Sequence, residues 1–195
     1  MNGQERPTNK YYHHVETNIY SKCPPEILAQ IIGTRITYMT FDGCDVEGVI
    51  EVHKDLEQDV QNFFALAYNI GFPISRVSPA SKADLPFDDD DMMSSNMSSG
   101  FNYRTIADTN ELSLHSLGRA IDINPRLNPC RLYKDGELVT TKPANWQIYN
   151  IQTFGGILEP DHQLVEFMRS HDWNWGGDWT LESGRVDLHH FEKAQ

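Results

Sequence analysis

Residues 131–140 read RLYKDGELVT, with Asp135-Gly136 between two short strand-like halves. Asp-Gly at such a centre is a hairpin signal, because a type I′ turn needs positive φ at both central residues. Outward from this ribbon, TRITYMTF (34–41) is rich in β-branched and aromatic residues and reads as a strand, with GVIEVHKD (48–55) as its partner. Leu56, Val60, Phe63, Phe64, Ala67 and Ile70 then recur at helical spacing, with Asp55 as a cap and Gly71 as a stop. A shorter helix is expected over 26–32, opened by Pro24-Pro25 and closed by Gly33. FPISRVSP (72–79), FNYRTI (101–106) and GRAIDIN (118–124) read as extended segments. HQLVEFMRSH (162–171) reads as an amphipathic helix with Leu164, Val165 and Met168 inward, and VDLHHFE (186–192) as one closing strand. Helices and hairpins without a regular strand–helix–strand rhythm predict an α+β fold, a largely antiparallel sheet with flanking helices.

Length allows one domain, assigned to residues 21–195 behind a poorly ordered lead-in at 1–20. Sixteen Lys+Arg against 28 Asp+Glu give a formal charge of −12, which argues against a sequence-independent nucleic-acid binder. An aromatic content of 11% argues against a disordered acidic chain. No apolar run approaches the roughly 20 residues of a membrane span. The first residues, MNGQERPTNKYYHH, lack the apolar core of a signal peptide, so none is expected in this chain. Cys23, Cys44 and Cys130 are odd in number and widely spaced, and are expected to be reduced thiols. The run Asp88–Asp91, within a polar stretch from Ser81 to Ser99, reads as a solvated loop; it lacks the spaced ligands and turn glycine of a calcium loop.

The chemistry concentrates after Ser94. SLHSLGRAIDINP (113–125) sets His115 and Asp122 on either side of Gly118, and DLHHFE (187–192) adds Asp187, His189 and His190. Imidazole nitrogen and carboxylate oxygen are zinc donors, and a catalytic zinc takes three protein ligands and leaves one position open. Asp122 lies between Ile121 and Ile123, and a carboxylate in apolar surroundings needs a positive partner.

The pattern Ser113, His115, Gly118, Ala120, Asp122, followed by Asp187-x-x-His190-Phe191, resembles the M15 zinc metallopeptidases, the D-Ala-D-Ala carboxypeptidase and L-alanyl-D-glutamate endopeptidase group. SSGFNYR (98–104), AIDINPRLNP (120–129) and the Trp-rich run from Trp173 to Trp179 are similar to the endopeptidase-like branch. The resemblance implies a Hedgehog/DD-peptidase-like fold and a zinc ion held by His115, Asp122 and His190. It implies Asp187 as general base and Arg104, with Arg76 in reserve, as the arginine that stabilises the oxyanion. It further implies hydrolysis of peptidoglycan stem peptides or muropeptides, at L-Ala–D-Glu or terminal D-Ala, in a cell-envelope or phage-type lytic setting. A monomer is the default. The alternative is a catalytically silent zinc module of the same fold, which needs the ligands but not Asp187.

Counting three from Asp187 selects His190 over His189, and strand alternation turns His189 away from the metal. Ser113 is expected to be structural, Gly118 to allow a tight turn, and Trp173 and Trp175 to form core and cleft wall. Asp178 is placed equally well in the cleft or in holding its loop. His13, His14, His53, His162 and His171 are expected to face solvent.

Overall fold

The computed structural model describes residues 22–80, 89–106, 109–144, 146 and 155–194. The expected lead-in at 1–20, with His13 and His14, lies outside them. The described residues include a one-turn helix, α1 (Pro25–Leu28), followed by two long strands, β1 (Ile31–Met39) and β2 (Asp45–His53). These pair antiparallel from Ile31↔His53 to Met39↔Asp45. The first helix is therefore shorter than its local sequence suggests. Ile31, Ile32 and Gly33 are drawn into the ribbon, where β-branched residues and ladder hydrogen bonds outweigh helix extension.

Helix α2 (Glu57–Asn69) follows a single 3-10 turn at Lys54–Leu56. Its buried face is Val60, Phe63, Phe64 and Ala67, with Leu56 just ahead; Ile70, just past its end, is exposed. That turn, which leads into the helix, is capped by His53, for the Asp55 backbone N–H donates to His53 Nδ1 at 3.2 Å. His162 does the same for helix α4 (Gln163–Ser170), accepting from Leu164 N–H at 3.2 Å. Both histidines thus hold helix starts and are not free in solvent. His171 is also engaged, its Nδ1 donating to the Phe167 carbonyl at 2.8 Å.

The acidic run departs most from expectation. Asp89–Ser94 forms a short helix, α3, which buries Met92 and Met93 and leads into β4 (Met97–Ser98). β4 lies parallel to β3 (Arg76–Val77), the one parallel pair of strands among the described residues. Apolar side chains C-terminal to the aspartates supply the burial that makes this turn helical. Only Arg76–Val77 of the expected extended segment 72–79 pairs as a strand.

Two three-stranded sheets complete the α+β architecture. One has the order β5 (Ala120–Asp122), β10 (His190–Glu192), β8 (Asn174–Trp175). The other has β7 (Glu137–Lys142), β6 (Cys130–Lys134), β9 (Arg185–Asp187). Asp135 and Gly136 take φ of 52° and 81° between β6 and β7, the conformation their sequence demands. VDLHHFE is two strands, β9 and β10, divided at Leu188-His189. One main core joins α2, α4, the first ribbon and the β5–β10–β8 sheet through Phe63, Phe64, Ile121, Ile123, Met168, Trp173, Trp175 and Phe191. The three cysteines are free thiols, Cys23 and Cys130 buried and Cys44 exposed.

Asp59 on α2 ties this core to the end of the described chain. It accepts from Trp173 Nε1 at 3.0 Å and from Lys193 Nζ at 3.0 Å. Burial pushes the Asp59 carboxyl upward, yet these hydrogen bonds and the Lys193 charge hold it below the usual range. A depressed carboxyl contributes stability that is present above its unfolded pKa, about 3.9, and is lost as pH falls through the folded value. Asp59→Ala is expected to cost roughly 1–3 kcal/mol in urea unfolding at pH 7, with the gap to wild type closing below about pH 4; an unchanged midpoint at pH 7 would contradict the tie.

Candidate metal centre and its surroundings

β5 and β10 run antiparallel with His190 directly opposite Asp122, so both side chains rise from one face of the sheet. His115 comes from the 3-10 turn Leu114–Leu117 that precedes β5. Ser113 caps that turn, its Oγ accepting from the His115 N–H at 3.3 Å, which is the structural role expected of it. Gly118 ends the turn at φ 64° with its carbonyl accepting from His53 N–H at 2.8 Å. A Cβ there would stand 2.5 Å from His53 N and 2.6 Å from Ile31 Cδ1. The close approach of the β1–β2 ribbon to this turn is what requires glycine.

His115, Asp122 and His190 are all buried, and one ligand atom from each lies within 4.8 Å of the others, a group able to hold a metal ion. His115 Nε2 is 3.2 Å from His190 Nδ1 and 3.2 Å from Asp122 Oδ2, and His190 Nδ1 is 3.0 Å from Asp122 Oδ1. The outer ring nitrogens settle the tautomers. His115 Nδ1 lies 2.7 Å from the Gly100 carbonyl oxygen, and His190 Nε2 lies 3.0 Å from Glu192 Oε2. Both partners accept, so both outer nitrogens carry hydrogen, and in the neutral rings the inner nitrogens present lone pairs.

Two lone pairs and a carboxylate facing one another repel unless a cation or a proton lies among them. A tetrahedron with zinc–ligand bonds of about 2.0–2.1 Å has edges of about 3.3–3.4 Å, close to the observed separations. The donors are imidazole and carboxylate rather than the all-oxygen set of calcium or magnesium. The residues present therefore fit zinc. Burial works against charge on His190, but hydrogen bonds to Asp122 and Glu192 and the charges of Asp122 and Asp187 push its pKa up to about 10. Asp122 is held well below the carboxylate range, the charges of His115 and His189 and the hydrogen bonds of His115 and His190 overcoming burial.

Around this cluster, Asp187 ends β9 as a buried carboxylate. His189 Nε2 lies 2.9 Å from Asp187 Oδ1 and 3.9 Å from Asp122 Oδ1, while its Nδ1 donates to the Asn128 carbonyl at 2.7 Å. The contact with Oδ1 is close in distance but off the hydrogen-bond line, so that oxygen has no aligned donor. Burial opposes charge on His189, and Asp187 and Asp122 raise its pKa to about 9. Against burial, the charge of His189 close by and that of His190 keep Asp187 below the usual carboxylate range. His189 is thus outside the three-residue cluster yet buried against it, where it braces two carboxylates. Simple alternation does not describe it, since the chain turns at Leu188-His189.

AIDINPRLNP holds the scaffold through two buried asparagines. Asn124, at φ 45°, donates to the Pro73 and Gly156 carbonyls at 2.9 and 3.1 Å and accepts from Ser75 N–H at 3.0 Å. Asn128 accepts from Leu158 N–H at 2.7 Å and donates to Gly156 O at 3.0 Å. Trp173 and Trp175 are both core, Trp175 Nε1 donating to the Leu188 carbonyl at 3.0 Å. Asp178 pairs with Arg169, Oδ2 to Nε at 2.9 Å, so it holds its loop.

Arg104 runs alongside the His115 turn, its backbone N–H donating to Ser116 Oγ at 2.8 Å, and its Nη2 pairs with Asp89 Oδ2 at 3.1 Å. Arg76 is exposed on β3. Glu192, the Gly100 carbonyl and Trp179 are additions to the expected set. Trp179 lies with its ring 5.3 Å from that of His190. Glu192 was within reach of the sequence, because residues two apart on a strand share a face and D-x-x-H-x-E places it beneath the last histidine. Its carboxyl is lowered first by the hydrogen bond from His190, with burial opposing and the charges of His190, His115 and Arg185 assisting.

A buried His–Asp–His cluster able to hold a metal ion thus lies beside a carboxyl held below its usual range. Residues 107–193 match the M15 peptidase family profile described as D-alanyl-D-alanine carboxypeptidase. This segment, which carries every residue of the cluster, is similar to the M15 peptidases. No curated protein and no solved structure matches the chain.

Gly118→Ala is expected to destabilise the fold by at least about 1 kcal/mol, from the left-handed φ and the blocked approach of the ribbon. Thermal melting checks it, and an unchanged melting temperature would show that the turn relaxes freely.

Proposed function

We propose that this chain is a zinc-dependent peptidase that hydrolyses peptidoglycan stem peptides or muropeptides, at the L-Ala–D-Glu bond or at terminal D-Ala. The observation that carries the reading is the convergence of His115 Nε2, Asp122 and His190 Nδ1, at 3.0–3.2 Å, in a segment of M15 sequence. The Hedgehog/DD-peptidase-like fold and the endopeptidase-like branch go with this reading, as does an envelope or lytic setting. The net charge of −12 offers no electrostatic hold on an anionic wall, which favours soluble fragments over intact sacculus.

In this scheme His115, Asp122 and His190 hold zinc, and Gly100 and Glu192 fix the two imidazoles in the ligating tautomer. An ion held by these three residues would supply Lewis acidity toward the scissile carbonyl and the attacking water. Asp187, ionised near neutrality, takes a proton from that water at its carboxylate and returns it to the leaving amine. His189 keeps the Asp187 carboxylate oriented and charged. Arg104 donates to the oxyanion as charge develops there, exchanging its Asp89 partner for the substrate oxygen.

His115→Ala and His190→Ala are expected to lose stoichiometric zinc, whereas His189→Ala retains it; the reverse pattern for the two adjacent histidines would reassign the ligand. Glu192→Gln is expected to weaken zinc binding by about 10- to 100-fold, read by competition with a chelator. Asp187→Ala is expected to keep zinc while muropeptide hydrolysis, followed by mass spectrometry, drops by about 10²- to 10⁴-fold. Equal product from both proteins would remove Asp187 as the base. Zinc bound without hydrolysis of any stem peptide would return the silent module.

A further inference from the structure

Arg185 begins β9, two residues before Asp187, so strand alternation sets both side chains on one face. Its guanidinium lies over the Trp179 ring, with Cζ 4.8 Å from the ring centroid. The same indole ring is 5.3 Å from the imidazole of His190. A single aromatic side chain thus spans from a member of the His–Asp–His cluster to a half-buried cation. Among the described residues no carboxylate lies within ion-pair distance of Arg185. In a chain with 28 acids against 16 Lys and Arg, a cation without a carboxylate partner beside the centre is conspicuous. Arg104 and Arg169 are each paired, with Asp89 and Asp178.

A guanidinium held over an indole face by a cation–π contact can still present its N–H groups, an arrangement that suits bidentate binding of a carboxylate. We propose that Arg185, held on Trp179, is the docking group for a carboxylate of the peptide substrate and sets that carboxylate beside the scissile bond. The inference rests on the peptidase reading and narrows it to peptides carrying a free carboxylate close to the cleaved bond. In a stem peptide, two carboxylates meet that description: the α-carboxylate of D-Glu and the chain-terminal carboxylate of D-Ala. Arg185 is a positioning residue for binding and takes no part in proton transfer.

The test compares zinc-loaded wild type with Arg185→Gln and Arg185→Lys on four stem tetrapeptides. These are the free acid, the peptide amidated only at D-Glu, the peptide amidated only at the terminus, and the doubly amidated peptide. Wild type is expected to favour the free acid over one of the singly amidated peptides by on the order of 10- to 100-fold in kcat/KM, carried mainly by KM. The amidation that causes the loss identifies the carboxylate. Arg185→Gln is expected to lose this discrimination with kcat and zinc content near wild type, and Arg185→Lys to keep part of it. Equal rates of wild type on all four peptides would overturn the inference and leave the peptidase reading standing, as would unchanged discrimination in Arg185→Gln. The same peptides titrated calorimetrically into zinc-loaded Asp187→Asn protein give a second readout. A preference for the acid there that vanishes in the added Arg185→Gln change supports the docking role even if no peptide is cleaved, in which case it is the peptidase reading that falls. No difference between acid and amide in that titration overturns the inference.

Discussion

His115 Nε2, His190 Nδ1 and the Asp122 carboxylate face one another in buried surroundings, and each would be better solvated almost anywhere else. Burial of such a set is costly without positive charge at its centre, so the surrounding structure exists to hold it in place. The Gly100 carbonyl and Glu192 fix the two rings from outside. The β5–β10 register places Asp122 opposite His190. Gly118 lets the β1–β2 ribbon close over the turn that carries His115. Asn124 and Asn128 tie the loop after β5 to distant carbonyls, so the strand bearing Asp122 has little freedom to relax the repulsion.

His189 extends this logic by one layer. It lies between the Asn128 carbonyl and the carboxylates of Asp187 and Asp122. Gly176 runs so close to the Asp187 backbone that a Cβ would stand 2.4 Å from its carbonyl oxygen. Asp187 is therefore held by its own main chain on one side and by His189 on the other. A carboxylate held this way can change protonation state without changing position, which is what the proposed general-base role would require of Asp187.

What the sequence made legible was mostly local or tied to a short motif. Asp135-Gly136 dictates its own φ values, and α2 and α4 carry their apolar stripes in plain view. The trio His115, Asp122 and His190, with Asp187 near it, follows from motif spacing. The misreadings share a cause: distant partners overrode local preference. Ile31–Gly33 join the ribbon because residues 51–53 pair with them. Asp89–Asp91 become helical because Met92 and Met93 find a buried site, and Asp89 meets Asn102 and Arg104. VDLHHFE divides because β6 captures its first half and β5 its second. His53 and His162 have no pattern partner in sequence since each caps a helix through its own backbone neighbourhood.

The pairing of β5 with β10 joins residues 68 apart, whereas the β1–β2 hairpin closes over a few residues. Loop-closure entropy and contact order place such a distant pairing late in folding, after the hairpin and α2 have given it a surface to dock on. A cation bridging His115, Asp122 and His190 would then act as a removable cross-link between chain segments that meet last. By mass action its binding adds directly to the stability of the native state alone. The resistance of this sheet to heat and proteolysis would accordingly rise and fall with the supply of free metal, so that the fold itself would report metal availability.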